Sequence, residues 1–226
     1  MNPWCSPDIA QQMRANVDRQ LAEVPWPVHF TAYADAAWTA SYISVLEVGC
    51  GVGHGYEILE RRDDDRDARR FTGLDISEHA IALARERYPD AHWEVGTVDV
   101  LPAFGVTYDV VIDGSCVLHV EAWREHLAAL CAASRDAVIL HRIPMQSEMY
   151  KDLPSDARPY GPNVSAERDR CAKTEPITTS GYGCTFQAWR FAVGEVRTEM
   201  SRHGFRHTET RKADGDSLTL TFRKAV

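Results

Sequence analysis

The sequence predicts an α/β protein built on a doubly wound, mostly parallel β-sheet. Short apolar runs alternate with helix-like runs from residue 43 onward, and a glycine-rich turn joins the first apolar run to a helix. An acidic residue, Asp75, ends the next strand. Apolar strands joined by helical crossovers form parallel sheets that are covered on both faces. Glycines at a strand-to-helix turn let a ligand approach the backbone closely, so this turn predicts a binding site.

A helical extension, residues 1–42, precedes the sheet. Apolar residues recur every four positions over 8–23 and predict a helix: Ile9, Met13, Val17 and Leu21. Pro25 and Pro27 end it, because proline cannot continue a helix. A second, aromatic-rich helix follows and ends before the first strand. The extension either packs as part of the core or forms a lid over a cofactor and substrate, and both interpretations stay open.

The domain of residues 43–226 is predicted to contain five strands before its irregular part, at 43–48, 71–75, 91–95, 108–113 and 137–142. Helices are predicted at 53–62, 77–87 and 121–134, the second with Ser77 as its N-cap. Prolines and glycines predict that 144–190 is an irregular segment on the substrate side of the sheet. A helix over 189–203 and a hairpin of 207–212 and 217–223 complete the domain.

Composition narrows the class of protein. The 226 residues carry a formal net charge of −8, which argues against a general phosphate-backbone binder. No apolar run approaches the ~20 residues of a membrane span, and the first residues lack the pattern of a signal peptide. The six cysteines show no zinc spacing, so no metal is expected. We therefore expect a cytoplasmic protein without a nucleic-acid or membrane partner.

The glycine turn departs from the dinucleotide pattern G-x-G-x-x-G, since His54 and Tyr56 stand where its last glycine would be. The run Glu47-Val-Gly-Cys-Gly-Val-Gly53 instead resembles the first motif of the class I S-adenosyl-L-methionine (SAM)-dependent methyltransferases. Leu74-Asp-Ile-Ser77 is similar to their second motif, and Tyr108–Ile112 with Val117–Val120 resembles their fourth. The matches fall in order within about residues 43–143. The resemblance implies a Rossmann-like methyltransferase fold: a seven-stranded sheet with an antiparallel C-terminal hairpin.

The resemblance also implies that the chain binds SAM and releases S-adenosyl-L-homocysteine (SAH). Asp75 lies about 20 residues after Gly53, where such a carboxylate accepts the ribose hydroxyls, although helix capping alone is the alternative. Gly96-Thr97 replaces the usual Gly-Asp of the third motif. The cofactor-binding residues implied are Glu47, Gly49, Cys50, Gly51, Gly53, Asp75, Ile76, Thr97, Val98, Asp99 and Asp113.

Three residues are candidates for chemistry with the methyl acceptor: His119, His141 and Asp113. His119 matches the histidine of the family's Leu-x-His-Val run, and a histidine can remove a proton from a hydroxyl near neutral pH. A structural role for His119 stays open. His141 and Arg142 end the fifth strand, where polar residues are unexpected in a buried strand. Arg142 is a candidate for binding an anionic or polyhydroxyl substrate, and Tyr150 and Tyr182 are candidates for the substrate wall.

The sequence therefore predicts a SAM-dependent methyltransferase whose partner is a small-molecule acceptor, with a hydroxyl of a sugar or natural product as the favoured target. N-methylation of an amino group, methylation of protein or RNA, and SAM binding without methyl transfer remain alternatives. The sequence leaves open whether the chain is a monomer or a homodimer.

Overall fold

The computed structural model describes residues 2–38, 43–62, 70–144, 174–182, 184–215 and 217–225. Its main element is a seven-stranded sheet of order β3-β2-β1-β4-β5-β9-β8. The strands are β1 (Ser44–Val48), β2 (Arg70–Asp75), β3 (His92–Val95), β4 (Tyr108–Gly114), β5 (Ser134–Pro144), β8 (Phe205–Lys212) and β9 (Ser217–Lys224). The first five are parallel, and β9 runs antiparallel to both neighbours. The predicted sheet with its antiparallel C-terminal hairpin is confirmed.

Helices cover both faces of the sheet, which explains why its central strands are apolar throughout. One face packs against α1 (Pro7–Leu21), α2 (Val28–Trp38), α3 (His54–Arg62) and α4 (Glu78–Arg87). The other face packs against α5 (Trp123–Ala133) and α6 (Val193–Arg202). Val45 faces the first layer and Leu46 the second, as the alternation of side chains along a strand requires. The doubly wound architecture is thus confirmed.

The helix boundaries follow local capping. Ser77 is the N-cap of α4, as predicted, and its Oγ accepts a hydrogen bond from the Ala80 N–H at 3.2 Å. The N-terminal pair of helices also forms as predicted, and α2 supplies fully buried side chains such as Phe30 and Tyr33 to the core. No helix among the described residues has the length and apolar character that a bilayer crossing requires.

The expectation for residues 144–190 was wrong in its second half. A separate two-stranded antiparallel sheet forms there from β6 (Glu175–Gly181) and β7 (Cys184–Arg190). Phe186 and Ala188 face the core while Thr185 and Gln187 are exposed, a period-two pattern hidden among polar residues. The same strand corrects the predicted helix over 189–203, which begins only at Val193 because Trp189 still pairs with Pro176. Residues 145–173 lie outside the described residues.

Candidate active site

A cavity of about 450 Å³ lies at the carboxyl ends of the central strands. Its walls include the ends of β1 and β4, which are neighbours although they are far apart in the chain. The strand order reverses between these two strands, and open α/β sheets bind ligands at this switch point. Gly114 permits the close approach, because a Cβ there would fall 2.7 Å from the carbonyl oxygen of Gly49.

The glycine turn after β1 is held by the acidic end of β2. The backbone N–H of Gly51 donates to Oδ2 of Asp75 at 2.8 Å, and the N–H of Ser77 donates to Oδ1 at 2.8 Å. Gly51 has a φ of 54°, a left-handed conformation that favours glycine. Each carboxylate oxygen can accept a second hydrogen bond. Asp75 therefore orders the turn and still presents acceptors on the cavity wall.

Glu47 is an acid inside the sheet, with 1% of its surface exposed, and it lines the cavity. Burial raises the pKa of Glu47 to about 8, and the nearby charges of Asp75 and Asp113 add to the effect. The neighbouring Tyr33 hydroxyl acts in the opposite direction and lowers the pKa. The carboxyl group is therefore mainly neutral at pH 7, when it can donate as well as accept a hydrogen bond.

An apolar surface and a polar loop lie beyond Asp75. The Ile76 side chain is 41% exposed and lines the cavity, where it can pack on a flat ring. Thr97, Val98 and Asp99 line the same part of the cavity. A short 3-10 helix, Val98–Phe104, starts there, and the Thr97 hydroxyl donates to Oδ2 of Asp99 at 2.9 Å.

Asp113 is buried completely, and its partners are internal. Its two carboxylate oxygens accept from the N–H of Val117 at 3.0 and 3.1 Å, and Nε2 of His126 lies 2.7 Å from Oδ2. Together with Cys116, this pair forms a group whose side chains could ligate a metal ion. The 2.7 Å separation is that of a charge-assisted hydrogen bond. Asp113 is absent from the cavity wall and anchors the loop that carries the next candidate.

His119 lies on that loop and lines the cavity. Its Nδ1 is 3.1 Å from the carbonyl oxygen of Gln187 in β7. A carbonyl only accepts, so Nδ1 carries the proton and Nε2 of the neutral ring is left as an acceptor. Burial lowers the pKa of His119, against the opposing effects of the Gln187 hydrogen bond and of Asp113. The ring is therefore neutral at pH 7 and can accept a proton.

The end of β5 places two more candidates on the wall, His141 and Arg142. Nδ1 of His141 is 2.9 Å from the Thr219 hydroxyl, and burial lowers the pKa of His141 well below its usual value. Arg142 donates to Oδ2 of Asp214 at 2.7 Å. Tyr182, in the turn of the β6–β7 hairpin, also lines the cavity.

The cavity brings together most of the residues that the sequence singled out: Glu47, Gly49, Gly51, Asp75, Ile76, Thr97, Val98, Asp99, His119, His141, Arg142 and Tyr182. Three lie elsewhere. Cys50 is buried beneath the turn, Gly53 packs under Trp93, and Asp113 is held inside the loop. Tyr150 falls outside the described residues.

Sequence reasoning missed several parts of the wall. His29 and His54 line the cavity near Arg142, and Trp4 and Met13 line it from the N-terminal extension. Trp4 stacks on Phe186 with ring centroids 4.3 Å apart and an interplanar angle of 12°. The only signal for His54 was its place in the glycine turn, at the start of α3. Nothing in the sequence indicated that residue 4 would meet a hairpin formed by residues 175–190.

Residues 45–138 match the model of the family described as methyltransferase domain. A probable S-adenosylmethionine-dependent methyltransferase of Mycolicibacterium smegmatis is 27% identical over 177 residues, which cover 78% of this chain and 66% of the relative. One from Mycobacterium tuberculosis is 30% identical over 91 residues, which cover 40% of this chain and 31% of that protein. The aligned segments thus span less than two thirds of these relatives.

Among solved structures, SAM-bound CalS10 from Micromonospora echinaspora, an amino pentose methyltransferase, superposes with a TM-score of 0.59 at 16% identity. The superposition covers 94% of this chain and 97% of CalS10. Likeness at this level of identity is likeness of fold.

Proposed function

We propose that this chain, which carries the methyltransferase domain of residues 45–138 on a class I methyltransferase fold, is a SAM-dependent methyltransferase with a small-molecule acceptor. One observation carries the proposal: a single cavity runs from Asp75 and the glycine turn to His119 and His141. A cofactor and an acceptor bound beside these two groups of residues would therefore share one cavity.

The residues present fit the cofactor. The exposed face of Ile76 suits an adenine ring, and the remaining acceptor capacity of Asp75 suits two ribose hydroxyls. Gly49 and Gly51 line the cavity, so their backbone can contact the methionine part. Glu47 lies beside them, where its carboxyl group can meet the amino group of that part. Cys50 and Gly53 would support cofactor binding indirectly, by packing behind the glycine turn and fixing its shape.

SAM supplies an activated methyl group on a sulfonium, so the protein mainly has to align the reacting atoms and exclude water. We assign the base to His119. Its Nε2 is the acceptor left by the Gln187 hydrogen bond, and it can take the proton of a hydroxyl as that oxygen is methylated. His141 is the second candidate, although the Thr219 hydroxyl, which can donate or accept, leaves its tautomer open. The proposed role of Asp113 is to position the loop that carries His119.

The proposed acceptor is a hydroxyl of a sugar or natural product, with N-methylation of an amino group as the alternative. A net charge of −8 and a cavity of about 450 Å³ favour a discrete small molecule over RNA or protein. Arg142 and Tyr182 lie on the cavity wall, where they can bind polar and ring-shaped parts of such a molecule. Arg142 would repel a cationic amine, which favours the hydroxyl.

Calorimetric titration with SAM and with SAH tests the cofactor assignment. Transfer of label from methyl-labelled SAM to panels of sugars, phenols and amines then tests the reaction. Micromolar binding of both nucleosides with label transfer to a hydroxyl compound is the expected result. Failure of both to bind would overturn the proposal.

A further inference from the structure

One part of the cavity wall is basic. His29 from α2, His54 from the start of α3, and His141 and Arg142 from the end of β5 all line it. We call these four residues the basic cluster. They are close enough to act on one another: after burial, the main cause that lowers the pKa of each of the three histidines is the positive charge of Arg142.

Two nitrogen atoms of the basic cluster are buried and without a protein partner. Among the described residues, Nε2 of His29 and Nδ1 of His54 have no hydrogen-bond partner. Buried polar atoms in folded proteins are normally paired, and an unpaired one calls for an explanation. A ligand group in the cavity that offers hydrogen-bond acceptors would supply the missing partners once the rings present their N–H groups.

Arg142 supplies the fixed positive charge. It has a φ of 54°, a left-handed conformation rare for a residue with a side chain, and it lies where the β5–β9 register shifts between Leu140 and Ile143. Such bulges re-aim side chains and are frequent beside functional sites. Asp214 takes one guanidinium N–H and is absent from the cavity wall. Arg142 can therefore use its other donors toward the cavity.

Resting on the methyl-transfer function above, we propose that the basic cluster binds an anionic group of the methyl acceptor, a carboxylate or a phosphate. Arg142 provides a charged pair with this group, and the three histidines provide N–H donors. A bound anion also favours protonation of the imidazoles, since an opposite charge nearby stabilises the charged form of a base. A neutral polyhydroxyl acceptor would leave the donors of Arg142 that Asp214 does not take without a charged partner, and a cationic acceptor would be repelled by the basic cluster.

The test uses the full chain, with and without SAH, and matched probes. The affinities for benzoate, for its uncharged isostere benzamide and for inorganic phosphate are measured by titration. During each titration, NMR records the nitrogen signals of the histidine rings. Benzoate or phosphate is expected to shift the signals of His29, His54 and His141, and benzamide is expected to bind at least about tenfold more weakly, as a lost charge-assisted contact requires. The tighter of the two anions identifies the carboxylate or the phosphate source.

Substitutions sharpen the result. Arg142→Gln should weaken benzoate or phosphate binding about tenfold, and Asp214→Asn should strengthen it about threefold because Arg142 loses a competing carboxylate. Asp136→Asn is the matched control: it removes a partner of Arg223 from an ion pair of the same kind, at the opposite end of β5. Asp136→Asn should leave the affinity for benzoate and phosphate unchanged.

Equal binding of benzoate and benzamide, or unchanged anion affinity in both Arg142→Gln and Asp214→Asn, would overturn the proposal. The outcome is separate from that of the proposed function, because anion binding is read directly and SAH binding is measured independently. Loss of SAH binding with anion binding intact would defeat only the methyl-transfer assignment.

Discussion

Nδ1 of His119 lies 3.1 Å from the carbonyl oxygen of Gln187, and this contact joins the loop after β4 to the β6–β7 hairpin. Because the acceptor is a backbone carbonyl, the hairpin orients the ring and selects its tautomer whatever side chain stands at 187. The β6–β7 hairpin is therefore part of the candidate site: it lines the cavity and also fixes the orientation of His119.

The first prediction concerns His119 as the base. His119→Ala should lower turnover about 100-fold or more while SAM affinity stays within a few-fold, because a base acts on the reaction and not on cofactor binding. Gln187→Ala is the control, since it keeps the carbonyl and should leave the rate unchanged. Steady-state kinetics with calorimetry measures both quantities. A rate for His119→Ala within a few-fold of the unaltered protein would make His119 structural.

A second prediction concerns Asp75, which orders the glycine turn and presents acceptors to the cavity. Asp75→Ala should weaken SAM binding by about 1–3 kcal/mol. Asp109→Asn is the control, because Asp109 likewise accepts backbone N–H groups, those of Ile43 and Ser44, at the other end of the sheet. Asp109→Asn should lower thermal stability without changing SAM affinity. Equal SAM affinity in Asp75→Ala and the unaltered protein would refute the ribose assignment.

The pKa of Glu47 gives a third prediction, on stability against pH. Burial raises the pKa of Glu47 to about 8, from 4.5 in an exposed setting, so between these values the folded protein holds a proton that the unfolded chain releases. The neutral Glu47 therefore stabilises the fold fully below pH 4.5, and this stabilisation is lost as pH rises through about 8. The free energy of unfolding falls by up to about 5 kcal/mol over this range.

Glu47→Gln tests this, because glutamine keeps the shape of the neutral acid and cannot ionise. Urea unfolding from pH 6.5 to 9 should show the unaltered protein losing stability relative to Glu47→Gln. If the unfolding free energies of the two proteins instead change in parallel over that pH range, the carboxyl group ionises normally in the folded protein.

The predicted site residues that line the cavity lie in short sequence patterns that can be recognised without knowing the tertiary structure. Asp75 and the glycine turn are separated by one helix, and a short strand-to-helix pattern contains them both. His119, His141 and Arg142 follow strand ends, and all parallel strands end at the same edge, so their meeting in one cavity follows from topology.

Residues whose role depends on distant packing were not predictable in this way. Asp113 also ends a strand, yet His126 lies 2.7 Å from it and the loop closes over it, so its side chain serves the interior. His29 reaches the cavity only because α2 packs across β5 and β9, and Trp4 does so through a stack on Phe186. No periodicity within a single segment encodes contacts of this kind.

Acid should destabilise the protein through the basic cluster. Burial lowers the pKa of both His29 and His54 to about 4, with Arg142 adding to the effect. Between about pH 6.5 and 4 the unfolded chain therefore binds protons that the folded protein cannot, and stability falls as pH falls through this window. Arg142→Gln should make this loss smaller, because removing one cause of the lowered pKa moves the folded-state pKa of His29 and His54 back toward 6.5 and narrows the window. Unfolding curves from pH 7 to 4 that coincide for both proteins would contradict this.

The last prediction concerns the lid interpretation of the N-terminal extension. Trp4 stacks on Phe186 and lies 5.0 Å, between ring centroids, from His119, so the extension and the hairpin meet over the cavity. Met13 adds a second contact, since its sulfur lies 2.6 Å from the position that a Cβ on Gly51 would take. If the extension closes the site, Trp4→Ala should raise the KM for SAM and for the acceptor, because closure uses the stacking energy, about 0.5–1.5 kcal/mol. Trp4→Phe keeps a ring and should restore most of the loss. If both substitutions leave KM unchanged while lowering thermal stability, the extension is packing material and the lid interpretation fails.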